Sequence, residues 1–225
     1  MNWKNDSDMT ENPLQNIPVV TRNLLYVNLI LFVATLINPE FMKDTFAMAF
    51  PLSTEFRWWQ PLTHMFMHDG FFHIFFNMYT LVMFGMVVER ALGTRKFIWF
   101  YLITGFGAVL LHTGVEFLQV QSLIKQYPGI DPQYIYNSIP GVLGASGAVY
   151  GVLVAFAMLY PQARLTLIFP PITLDAKWWV LIFIGIELVT GITGTTMGVA
   201  HFAHLGGALF GWLLIRYWRK TRQLY

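Results

Sequence analysis

The chain's apolar residues are grouped in a way that a water-soluble fold cannot use. Six largely apolar stretches, about 18–37, 62–88, 97–120, 139–160, 178–193 and 197–218, follow one another through 225 residues. A helix crossing a bilayer needs roughly 20 apolar residues, fewer where the bilayer thins or neighbouring helices shelter it. Backbone polar groups in lipid must be satisfied within the segment, so such stretches fold as helices. The sequence therefore predicts an all-α membrane protein, a six-transmembrane-helix bundle over residues 18–220. Composition agrees, with 56% hydrophobic and 12% charged residues, against roughly a quarter charged in soluble domains. The net charge of +2 is carried by single basic residues or short clusters, which excludes a nucleic-acid-binding face. The absence of cysteine excludes disulfides, thiol catalysis and cysteine metal sites.

Cytoplasmic flanks of membrane helices collect Lys and Arg. With the N-terminus inside, eleven basic residues fall on the cytoplasmic side and only Lys43, Arg57 and Lys125 fall outside. Both termini are then cytoplasmic, with residues 1–17 and 221–225 expected as tails. Trp58 and Trp59 sit at the outer interface, Trp178 and Trp179 at the inner one. The N-terminal stretch carries Asp6, Asp8 and Glu11. It lacks the basic-then-apolar order of a signal peptide and is too acidic for an organelle transit peptide, so it is read as a short cytoplasmic tail; the expected location of the protein is a bacterial inner membrane. Two outer connections are long, 38–61 and 121–138. The first mixes Phe41, Met42, Phe46, Met48 and Phe50 with charges and is expected to lie partly in the interface. The third, Gly194–Gly198, is short and rich in Gly and Thr, a candidate flexible cap.

Polar residues at bilayer depth are costly and tend to face a bundle interior or a wet cavity. Ser146 is one. Pro140, Gly141, Gly144 and Gly147 surround it, and these are poor helix-interior residues, so regular helix is expected to begin near Ser146. From there to Tyr160 is roughly 22 Å at 1.5 Å per residue, shorter than a hydrocarbon core of about 30 Å. The serine then lies below the outer surface at a helix start, where free amides favour a developing oxyanion. A lone membrane serine is more often a cap or a small packing residue. His204 shifts that balance, because it lies roughly 10 Å into the last segment, at a similar depth. Ala200, Gly207, Ala208 and Gly211 share its helical face. Such a face admits a neighbouring helix very closely, and Gly147 and Gly151 support the same approach from the other side. A hydroxyl within reach of an imidazole is an activated nucleophile; otherwise His204 only bonds two helices together.

His73 and Asn77, four residues apart, share a face of the second segment, and each carries a donor of the kind that stabilises an oxyanion. His64 and His68 have the same spacing nearer the outer surface, where packing and loop anchoring are expected of them. Tyr150, one turn after Ser146, can stack on His204. No acidic residue is evidently placed to orient that imidazole, which points to a dyad rather than a triad.

Three motifs together resemble the rhomboid intramembrane serine proteases: His73-Ile-Phe-Phe-Asn77, Gly144-Ala-Ser146-Gly147 with Tyr150, and Ala203-His204-Leu-Gly-Gly207 followed by Gly211. Each alone is weak; in this order on the second, fourth and sixth segments they are specific. The resemblance runs from about Trp58 to Gly211. It implies a six-helix core, Ser146 as nucleophile and His204 as general base and acid. It further implies oxyanion binding by His73, Asn77 and the Ser146 amide, Tyr150 packed on His204, and His201 a packing residue near the cavity rim. Glu89, Arg90 and Gly93 resemble a structural turn of the family. Where the family often carries Trp-Arg, this chain has Trp59-Gln60 with Arg57 two residues upstream, which leaves the anchoring of the first outer loop unaccounted for. The implied clients are transmembrane segments of single-pass proteins, cleaved near their outer ends, and no cofactor is expected.

Two other classes compete. Five histidines (His64, His68, His73, His201 and His204) suggest an intramembrane metal or haem site. However, the His-Glu-x-x-His pattern is absent. A rhomboid-like pseudoprotease would bind clients without cleaving them, but such proteins typically lack the serine or the histidine. A soluble hydrolase is excluded, since Gly-x-Ser-x-Gly is broken by Ala148.

Overall fold

A computed structural model of the chain describes residues 16–167, 170–194 and 200–224. The helices, numbered in chain order, are α1 (Val19–Ile37), α2 (Pro39–Phe46), α3 (Gln60–Thr63, extended by a 3₁₀ turn over His64–Phe66), α4 (Phe71–Leu92) and α5 (Thr94–Gln126). They continue with α6 (Pro132–Ser138), α7 (Ser146–Leu159), α8 (Ala176–Thr193) and α9 (His201–Lys220). Four of them, α1, α4, α5 and α8, are long and apolar enough to cross a membrane. The connection between α7 and α8 holds an antiparallel pair of strands, β1 (Arg164–Thr166) and β2 (Thr173–Asp175), with Leu165 opposite Leu174. The expected N-terminal tail lies almost wholly outside the described residues.

α7 sits at the centre. It buries Gly147, Ala148, Val149, Gly151, Val152, Val154, Ala155, Phe156 and Ala157 around most of its circumference, as a helix does when protein rather than lipid surrounds it. Its 14 residues give a length of about 21 Å, and neighbouring helices shelter its short span. Small side chains set how close those neighbours come. A Cβ on Gly147 would lie 2.4 Å from the Ala108 Cβ of α5, and one on Gly151 would lie 2.7 Å from Thr104. α8 is peripheral by contrast, burying only Ala176, Trp179, Val180 and Glu187 among its described residues.

The second apolar stretch is not the continuous 62–88 helix that hydropathy suggests. The chain breaks after Phe66, and Gly70 turns it with φ 107°, a left-handed value that favours glycine. A fresh helix then starts at Phe71. His64 and His68 therefore precede α4 rather than sharing its face with His73 and Asn77. A single π-helical turn over Leu81–Gly85 widens α4 one turn beyond Asn77, a feature that recurs near functional sites. On the outer flank Phe71, Phe75 and Tyr79 stack successively at 6.0 and 6.1 Å, an exposed aromatic ladder suited to lipid.

Buried Glu89 fixes the start of α1. Its Oε1 accepts from the Val20 amide at 3.0 Å, and its Oε2 accepts the amide and hydroxyl of Thr21, both at 2.8 Å. These are first-turn amides without intrahelical partners, and a carboxylate there also answers the helix dipole. Arg90 donates to the Asn16 carbonyl at 2.8 Å. Glu89→Ala is expected to destabilise the fold by about 3 kcal/mol, the scale of charge-assisted bonds lost from a buried site. Thermal unfolding in detergent checks this, and an unchanged midpoint would mean that water replaces the carboxylate.

The long connections before α3 and before α7 are stitched together rather than loose. Met48 and Val142 exchange amide–carbonyl bonds at 2.8 and 2.9 Å, and the Asn137 side chain accepts from Ser53 Oγ and the Thr54 amide, both at 3.0 Å. Buried Gln60 supplies the anchor that the sequence left unaccounted for. Its Oε1 accepts from the amides of Ala49 at 3.2 Å and Arg57 at 3.0 Å, and its Nε2 donates to the Glu55 carbonyl at 3.2 Å. A neutral amide can both donate and accept here, so it ties together backbone groups of both kinds.

Candidate active site

The loop before α7 is shaped around Ser146. Gly144 has φ 131°, and a Cβ on it would lie 2.8 Å from His73 Nε2 and 3.6 Å from Ser146 Oγ. Both backbone and space therefore require glycine. The Gly144 amide donates to the His64 carbonyl at 2.9 Å, so the 3₁₀ turn before α4 holds this loop in place. Helix α7 then begins at Ser146, the start that the Gly and Pro pattern predicts. Amides of its first turn have no intrahelical partner.

His204 lies on α9, four residues past Ala200, and its Nε2 is 2.8 Å from Ser146 Oγ. The close approach has a backbone cause. A Cβ on Gly207 would lie 1.8 Å from the Gly147 carbonyl oxygen, and one on Gly211 would lie 2.9 Å from Gly151 Cα. The small-residue faces thus meet directly and carry the serine and histidine to one another. Tyr150 stacks on the His204 ring, centroids 4.4 Å apart and 6° from parallel. A hydroxyl hydrogen-bonded to a neutral imidazole can pass its proton to that ring as it attacks an electrophile.

A cavity of about 910 Å³ opens over this pair and is also lined by His73, Asn77, Tyr150 and the 140–143 loop. His73 and Asn77 come from one face of α4. The Asn77 side chain donates to the His73 carbonyl at 2.9 Å, which leaves its second N–H for another acceptor. His73 packs edge-on against His68 at 5.0 Å. Five residues predicted for the site, His73, Asn77, Ser146, Tyr150 and His204, are thus brought to one cavity, with Gly144 and Gly207 as the close-contact points. The expected cap Gly194–Gly198 lies outside the described residues except for Gly194, which ends α8 in a left-handed conformation with φ 64°.

Comparison with known proteins accounts for this arrangement. Residues 55–221 match the rhomboid domain. The chain belongs to the rhomboid family. It is similar to the rhomboid protease AarA of Providencia stuartii, with 29% identity over 75% of this chain and 58% of that protein. It is also similar to the mitochondrial presenilin-associated rhomboid-like protein of Bos taurus, with 32% identity over 69% of this chain and 37% of the relative. RHOMBOID-like protein 1 of Arabidopsis thaliana is 30% identical over 69% of this chain and 33% of its own length. The chain therefore spans between a third and three fifths of these relatives. As a rhomboid with apolar helices able to span a bilayer, it is an integral membrane protein.

One residue of this rhomboid escaped the sequence reading. Glu187, on α8, lies buried beside His204, although no acid was expected there. Its Oε1 is 2.9 Å from His204 Nδ1, with the ring N–H direction off the line to the oxygen, and its Oε2 is 2.6 Å from His201 Nδ1. The Tyr150 hydroxyl donates to Oε1 as well. His201, expected as a rim packing residue, is held by this carboxylate and by Thr190 Oγ1 at 3.1 Å. The signal was present in the composition of the segment, because Glu187 is the sole charged residue of the apolar stretch 178–193, and such a residue in a membrane helix needs a partner. What hid it was distance along the chain. The same three groups, Glu187, His201 and His204, place one ligand atom each within 4.8 Å of one another. The carboxylate missing from the histidine metal reading is thus supplied by another helix, with its oxygens engaged by the two rings and the phenol.

Proposed function

We propose that this protein is an intramembrane serine endopeptidase that cleaves transmembrane helices of single-pass clients near their outer ends. The observation that carries the reading is the 2.8 Å contact between Ser146 Oγ and His204 Nε2 beneath a cavity. The proposed bundle has six spans with both termini in the cytoplasm, α7 and α9 joining the four helices that are long and apolar enough to cross a membrane. The basic-residue asymmetry supports that orientation. A bacterial inner membrane is the proposed location, with the Providencia relative as support.

A client helix must unwind locally, because helical backbone is self-satisfied and shielded in lipid. Ser146 Oγ then attacks the exposed peptide carbon while its proton passes to His204 Nε2, and the carbonyl π pair moves onto oxygen. His73, Asn77 and the Ser146 amide are the proposed donors to that oxyanion. The C–N bond breaks as His204 gives its proton to the leaving amine. Water, deprotonated by the same nitrogen, hydrolyses the acyl-enzyme and restores the serine.

The test is cleavage of a single-pass helical reporter by the full chain in liposomes, wild type against His204→Ala. The proposal expects cleavage by the first and none by the second. Reporter binding without cleavage by the wild type would favour the pseudoprotease reading instead. Asn77→Ala is expected to lower kcat by about 100-fold, the effect of losing one oxyanion donor. Turnover equal to wild type would make Asn77 a packing residue.

A further inference from the structure

Resting on the hydrolase reading of Ser146 and His204, we infer that Glu187 is a positioning residue that completes a Ser146–His204–Glu187 relay across three helices. Glu187 Oε1 stands 2.9 Å from Nδ1 while Ser146 Oγ stands 2.8 Å from Nε2, so the serine and the carboxylate address opposite nitrogens of one ring. A carboxylate only accepts, so Nδ1 carries the ring proton and the Nε2 lone pair is directed at the serine hydroxyl. That is the tautomer a general base needs.

The placement argues against a purely structural role. The other described residues that α8 buries, Ala176, Trp179 and Val180, lie at its far end, and a charge in a peripheral membrane helix is costly. Glu187 is nevertheless buried against His204, and two of the groups that hold it, His204 and Tyr150, line the cavity. Tyr150 stacks on His204 with its ring and donates its hydroxyl to Oε1, while His201 Nδ1 holds Oε2 at 2.6 Å. Tyr150 thus fixes the imidazole from its face and the carboxylate from its hydroxyl. The off-axis Nδ1 contact suits a resting enzyme, because such bonds tighten when substrate is bound.

During attack the proton of Ser146 moves to Nε2, leaving an imidazolium whose Nδ1 lies 2.9 Å from an anionic oxygen. The carboxylate offsets that charge and remains ionised through both half-reactions; it takes no proton and forms no bond to substrate. Deleting it removes both the tautomer bias and the charge compensation.

The experiment compares the full chain with Glu187→Gln and Glu187→Asp in liposomes, reading kcat and KM separately on the helical reporter. It adds ¹⁵N shifts of His204 in the uncleaving Ser146→Ala background. Expected for Glu187→Gln is a loss of kcat of about 10²- to 10⁴-fold, the range seen when the acid of a serine triad becomes an amide. KM should change little, and Glu187→Asp should recover part of the rate. The ¹⁵N spectrum should show the proton on Nδ1 of His204 when Glu187 is present and a mixture of tautomers with Glu187→Gln. Wild-type kcat in Glu187→Gln, or a His204 proton on Nε2 with Glu187 in place, overturns the inference. The tautomer readout needs no turnover, so it stands even where Glu187→Gln folds poorly. If the wild type itself cleaves nothing, the hydrolase reading fails, and the spectrum still decides where the proton sits.

Discussion

Ser146→Ala is expected to reduce cleavage of a helical membrane reporter by on the order of 10⁵-fold or more, the scale on which serine nucleophiles act. The physical reason is that a methyl group offers no lone pair to the client's carbonyl carbon, and among the described residues no other hydroxyl hydrogen-bonds to His204. Stability should change by less than about 1 kcal/mol, since a small, partly exposed side chain is exchanged for a slightly smaller one. Paired cleavage and thermal-unfolding measurements separate the two effects. Retained cleavage would move the nucleophile elsewhere, and a collapse of stability would make Ser146 chiefly a structural bond to His204.

Gly207→Ala is expected to impair both turnover and stability, by a wholly different route. The added methyl would fall 1.8 Å from the Gly147 carbonyl oxygen, where no carbon can sit, and the obstacle is backbone rather than a side chain that can turn away. α9 must shift outward from α7, and that shift pulls His204 off Ser146. Overpacking of this kind costs about 3 kcal/mol, and displacing a reacting group by about 1 Å costs roughly 100-fold in rate. Both a lower unfolding midpoint and a loss of turnover are therefore predicted. Full activity in Gly207→Ala would show that the two helices are not in the contact described. At Gly114, by comparison, an added Cβ meets nothing within 4 Å, and alanine there should be silent in both measurements.

The contrast between these two sites explains what could be read before any coordinates. Close approach of α7 and α9 was legible because small residues at helical spacing leave a pattern in each helix separately: Gly147 and Gly151 on one, Gly207 and Gly211 on the other. The start of α7 was legible for a similar local reason, since Gly and Pro before Ser146 oppose helix. Glu187 was not, because its meaning lies in the rotation of α8 about its axis, which no spacing within α8 records. Gln60 was misjudged on a family habit; the backbone groups it binds, from Ala49 to Arg57, only surround it once the outer connection has folded. The second apolar stretch failed for a third reason. Hydropathy sums over 62–88 without seeing that the helix breaks after Phe66 and restarts beyond Gly70 with positive φ, while the His64 carbonyl before the break accepts from the Gly144 amide. Residues whose roles are set by their own helix were readable, and those set by the packing of another were not.

Catalysis of the proposed kind depends on one meeting of groups, Ser146 Oγ with His204 Nε2, and a fluorophosphonate probe followed by mass spectrometry of the adduct tests it most directly. Wild-type protein in liposomes should take up one phosphonyl group on Ser146, and His204→Ala should take up almost none over the same time. An adduct on a different residue, or labelling of His204→Ala at the wild-type rate, would contradict the claim that this serine is activated by this histidine.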